Sequence, residues 1–97
     1  MDNDTLEIIK KHISDTLDAK LLPAKERSLR DGEIFNAHIG DNIITVFIPC
    51  MLISLLENSG SINEYLENLN IALFVKNNPG ANISLSAKGV AIDPNDG

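Results

Sequence analysis

Residues 33–50 read EIFNAHIGDNIITVFIPC, and the reading of this stretch decides the fold. Gly40-Asp41 suits a two-residue hairpin loop, with Gly supplying the positive φ of a type II′ turn. That turn sets a register in which Ile39 faces Asn42, Ala37 faces Ile44, Phe35 faces Val46 and Glu33 faces Ile48. Side chains alternate across a strand, so Phe35, Ala37, Ile39, Ile44, Val46 and Ile48 share one dry face. The opposite face pairs Ile34 with Phe47, Asn36 with Thr45 and His38 with Ile43, a mixed surface. One dry and one mixed face is the signature of a hairpin lying over a helical layer.

The segment before the hairpin has helical periodicity. Leu6, Ile9, Ile13, Leu17 and Leu21 fall on one stripe, Asp4 or Thr5 is placed to cap it, and Pro23 is expected to end it. After the hairpin, Pro49 suits the first turn of a helix whose apolar positions are Leu52, Leu55 and Leu56. Ser59-Gly60 breaks that helix. Ser61 and Glu64 then stand in capping-box spacing ahead of Ile62, Tyr65, Leu66 and Leu69. IALFVK, 71–76, reads as a short central strand and NNPG, 77–80, as a turn. From Ile83 the alternation is that of a strand, and its change of parity after Gly89 predicts a bulge at Lys88-Gly89.

The expected fold is α+β: a mainly antiparallel four-stranded sheet with helices on one face, in the order α-β-β-α-α-β-β. A single domain is expected over residues 1–92, with 93–97 as a disordered tail. The tail imitates a calcium loop, but Asp93, Asn95, Asp96 and Gly97 are out of step with the EF-hand spacing.

The chemistry-bearing side chains are few. Cys50 is the single cysteine, so no internal disulfide is possible, and its place at a helix start is where a thiol pKa can be lowered. A catalytic cysteine needs a histidine base within hydrogen-bond reach. The hairpin register sets His38 and Cys50 roughly 23 Å apart, at about 3.3 Å per residue. No catalytic residue, metal ligand set or cofactor motif is therefore assigned.

Composition narrows the function further. The chain carries a net charge of −6, which opposes the phosphate contacts that dominate nucleic-acid binding. No Trp, one Tyr and three Phe leave little to stack bases on. Lys20, Lys25, Arg27 and Arg30, against Glu26 alone, form a basic stretch that reads as a docking patch for an acidic partner. No apolar run approaches the roughly 20 residues of a membrane span, and the N-terminus lacks the pattern of a secretory leader. These features predict a cytoplasmic, small acidic interaction module of adaptor, chaperone or inhibitor type. It is expected to be oligomeric, a homodimer or bound to a protein partner, with neither nucleic acid nor membrane as partner. The expected interaction face is the mixed side of the hairpin: Ile34, Asn36, His38, Ile43, Thr45 and Phe47. Alternatives are an accessory subunit of a larger, phage-derived assembly, and a small ligand-binding protein or enzyme using Cys50.

Overall fold

The structure, a computed structural model, describes residues 3–24 and 31–93. The first helix, α1 (Asn3–Leu17), buries Ile9 and Ile13 completely, as its stripe requires. It is already helical at Asn3, so Asp4 and Thr5 lie in its first turn rather than capping it. Its end comes earlier than Pro23. Asp18 takes the left-handed conformation at φ 51, and the Ala19 N–H reaches back to the Ser14 carbonyl at 3.0 Å. That six-to-one bond is a Schellman closure. The Ser14 hydroxyl, donating to the Ala19 carbonyl at 2.8 Å, holds the same corner.

The chain leaves this corner as a strand. β1 (Lys20–Pro23) pairs antiparallel with β2 (Gly32–Ile39), Leu21 opposite Ala37. The helical spacing of Leu21 after Leu17 therefore hid a strand. β2 and β3 (Asn42–Pro49) form the expected hairpin, with Ile39 against Asn42, Ala37 against Ile44, Phe35 against Val46 and Glu33 against Ile48. Gly40 stands at φ 58 while Asp41 keeps a negative φ, the combination of a type II′ turn.

Three helices follow: α2 (Cys50–Ser59), α3 (Ile62–Glu67) and α4 (Ile71–Asn77). Gly60, at φ 67, separates the first two. The expected capping box does not form. Ser61 makes no side-chain bond to the helix end, because its hydroxyl pairs with that of Ser59 at 2.6 Å. The expected strand over 71–76 is a helix: Ile71 is buried, and Phe74 and Val75, three and four residues on, pack on the same core. Of NNPG, Asn78, Pro79 and Gly80 lie in the expected turn, and Asn77 is the last residue of α4. The Ala81 N–H bonds to the Asn78 carbonyl at 3.2 Å with Gly80 at φ 81, which is a type II turn.

Residues 83–92 form a hairpin of β4 (Ile83–Ser86) and β5 (Gly89–Ile92), turning at Ala87-Lys88. The parity change that suggested a bulge marks this turn. The described sheet thus has five strands where four were expected, in the order β1-β2-β3-β4-β5. It is antiparallel except for β3 and β4, which run parallel with Val46 beside Ile83. Parallel neighbours need a long crossover, and α2, α3 and α4 supply it. Asp93, placed in the tail by its Asp-Pro-Asn sequence, is buried and donates its N–H to the Asn82 carbonyl at 3.0 Å.

The helices cover one face of the sheet. The core joins Ile9 and Ile13 of α1, Leu52, Ile53 and Leu56 of α2, Leu66, Leu69 and Ile71 of the later helical segment, and the inward sheet residues. Those sheet residues are Phe35, Ala37, Ile44, Val46, Ile48, Ile83 and Leu85, all on the face the hairpin register predicted to be dry.

Candidate functional site

The sheet and α2 meet at a surface feature not foreseen from the sequence. β3 ends at Pro49, whose extended backbone (φ −64, ψ 142) hands the chain directly to Cys50, the first residue of α2. Pro49 thus precedes the helix rather than opening it. The Cys50 N–H donates to the Asp31 carbonyl at 3.2 Å, which fixes the helix start against the base of β2. With Leu52, Ile53 and Leu56 turned inward, the helical period turns Met51 and Leu55 outward. Met51 is 83% exposed and Leu55 50%. These two flank an open groove of about 660 Å³ whose remaining walls include Pro49, Cys50, Ala87 and, at the rim, Asp31. Of the three apolar positions read on this helix, Leu52 and Leu56 are buried and Leu55 is not. A helical wheel carries the signal for its exposure, since Leu55 lies about 100° from Leu56 on the side of Met51, away from Ile53.

Cys50 lies half-buried in this groove. Burial, then a hydrogen bond to the Asp31 side chain, then the charges of Asp31 and Glu33, push its thiol up from the usual value. These causes oppose the lowering that a helix N-terminus brings. An upward shift favours the protonated thiol, the less nucleophilic form. His38 pairs with Ile43 beside the Gly40 turn, at the far end of the hairpin from Pro49 and Cys50. The fold does not bring these two side chains together. Among the described residues, no cluster of three or more His, Cys, Asp or Glu side chains is arranged to hold a metal ion.

The six residues of the expected interaction face do share one side of the sheet, opposite the helices. Asn36 and Thr45 are paired across the strands, the threonine hydroxyl donating to Asn36 Oδ1 at 3.1 Å. The Thr45 N–H donates to Asn82 Oδ1 at 2.8 Å, which ties this row to the start of β4. Ile34 and His38 are half-buried. Phe47, expected to meet water unless covered, is only 5% exposed. Its ring crosses Gly32, where a Cβ would stand 2.7 Å from Cζ. What this face leaves exposed is Ile43, with Leu22 of β1 at its margin.

Of the expected basic patch, Lys20 is exposed on β1, and Lys25, Arg27 and Arg30 lie outside the described residues. No helix among the described residues is long and apolar enough to cross a membrane. No protein-family model, no curated protein and no solved structure matches this chain.

Proposed function

We propose that the protein is a small acidic, non-catalytic interaction module, working as an adaptor, chaperone or inhibitor through the groove at the start of α2. The observation that carries this reading is the pair Met51 and Leu55, exposed side by side one helical turn apart on the wall of an open apolar groove. Exposed apolar side chains grouped around a concavity are costly to leave in water and serve as contact points for partners. Methionine suits this use because its flexible, polarizable side chain adapts to different shapes. Asp31 at the rim, with the charge of Glu33 felt in the same place, favours a partner segment that carries an apolar side chain followed by Lys or Arg. The chain's net charge of −6 draws such a basic segment in at long range. The protonated thiol of Cys50 adds apolar surface rather than a nucleophile.

The test compares the proteins retained by the wild type with those retained by Met51→Asp and Leu55→Asp, followed by binding measurements on the purified candidates. Truncating a central contact typically weakens binding by ~2 kcal/mol, about 30-fold, and a buried charge costs at least that. Identical profiles for wild type and folded variants would refute the groove as a docking site. A candidate whose affinity is unchanged by Asp31→Asn would refute the basic character of the partner.

A further inference from the structure

The two edges of the sheet are built differently. β1 carries Lys20, exposed, and Pro23, two devices that discourage another strand from pairing. β5, Gly-Val-Ala-Ile, carries neither a charge nor a proline, and among the described residues its sole neighbour in the sheet is β4. The direction of its main-chain groups follows from one bond. The Asp93 N–H donates to the Asn82 carbonyl, so Asn82 and Asp93 form a hydrogen-bonded pair. In an antiparallel ladder such pairs alternate with non-bonded ones. Ser84 with Ala91 and Ser86 with Gly89 are then bonded pairs, whereas the N–H and C=O groups of Val90 and Ile92 point away from β4.

We infer that β5 pairs antiparallel with β5 of a second copy of this chain, joining the two sheets into one across a twofold axis at Ala91. This inference is independent of the groove. The occupant is a second copy because the strand is complementary to itself in the register its hydrogen-bond parity demands. With Ala91 opposite Ala91 of the second copy, each Val90 faces an Ile92, and both residues of the pair have outward main-chain groups to exchange. Ile92, 52% exposed in the single chain, then lies beside Val90 of the second copy on the helix side of the sheet. Its own neighbours there, Ile83 and Leu85 through their pairing with β5, are already part of the core. At the axis the facing side chains are closest, and alanine is small enough to fit. The same register sets Asp93 opposite Gly89, so two chains of net charge −6 meet without opposed carboxylates. A foreign strand would need no such symmetry.

Sedimentation equilibrium of the wild-type chain from about 1 μM to about 1 mM, the range expected for a small interface, reads the association directly. A monomer–dimer equilibrium is expected. Ile92→Lys, a charge on the edge, and Val90→Pro, which removes an outward N–H and no bond to β4, are each expected to weaken it at least about 10-fold. If either variant fails to fold by circular dichroism, wild-type amide exchange gives the same reading. Val90 and Ile92 should gain protection with rising concentration, whereas Ala91 should not. A wild type that is monomeric throughout this range overturns the inference. So does a folded Ile92→Lys variant with unchanged association, or association abolished instead by Leu55→Asp, which would move the contact to the groove.

Discussion

Gly32 is the residue whose identity the packing dictates most tightly. A Cβ there would stand 2.5 Å from the Ile48 carbonyl oxygen and 2.7 and 2.8 Å from two atoms of the Phe47 ring. The ring can turn; the backbone oxygen belongs to the central strand and cannot move without disturbing β3. The arrangement is one in which an aromatic side chain covers a strand glycine. Gly32→Ala is therefore expected to destabilise the chain by about 2 kcal/mol, a fall in melting temperature of roughly 10 °C for a domain this size. An unchanged melting temperature in a calorimetric scan would show that the site relaxes freely. Cys50 teaches the complementary lesson. Its place at a helix start was legible in the sequence, and from that alone a lowered thiol pKa follows. Burial in the groove, with Asp31 and Glu33, distant in sequence and brought close by the pairing of β2 with β3, pushes the thiol the other way.

Among the elements, α3 is short and depends on contacts beyond itself. The Tyr65 hydroxyl donates to the Ser86 carbonyl at 2.7 Å, pinning the helix to the end of β4. Burial pushes the Tyr65 phenol up to about 12 from 10.0. The unfolded chain thus loses this proton first. The stabilisation from keeping the phenol neutral in the fold is complete below pH 10 and is lost as pH rises through about 12. Tyr65→Phe should cost about 1 kcal/mol at neutral pH by deleting the bond. Above pH 10 the gap between wild type and variant should narrow, as seen in denaturant midpoints measured across pH. A gap that stays constant or widens would contradict the burial of the phenol. The segments 20–23 and 71–77 show why elements can be misread locally. Leu21 continues the stripe of α1, but Asp18 in the left-handed conformation breaks the helix, and β2 offers a strand partner. A short apolar run such as IALFVK has no local preference strong enough to choose between strand and helix.

For the whole molecule, the decisive contact is the parallel pairing of β3 with β4. It closes a loop from Pro49 to Ile83 and makes β3 the middle strand of the sheet, flanked on both sides and covered by the helices. Stability is not uniform across such a structure. In dilute protein the amides of β3 should exchange most slowly, close to the rate set by global unfolding. Those of β1 and β5 should exchange through local opening at lower cost. Native-state hydrogen exchange in low denaturant measures both, and β3 amides that exchange as fast as β5 amides would contradict this order.

The sequence by itself determined the α+β class, the amphipathic face of α1, and the β2–β3 hairpin with its register and dry face. These rest on periodicity and on one turn, both of which are local and repeat over many residues. The six side chains of the mixed hairpin face were likewise legible, because alternation along a strand is fixed by backbone geometry. Only the tertiary structure decided the roles of 20–23 and 71–77, the crossover into β4, and the burial of Phe47, whose ring lies over Gly32. The groove belongs to the same group. Met51 and Leu55 are exposed because Leu52, Ile53 and Leu56 take the side of α2 that faces the sheet, and its far wall, Ala87, lies in a different hairpin. These features depend on which segments meet across long stretches of chain, and that choice is made by the shared core rather than by any one window of residues.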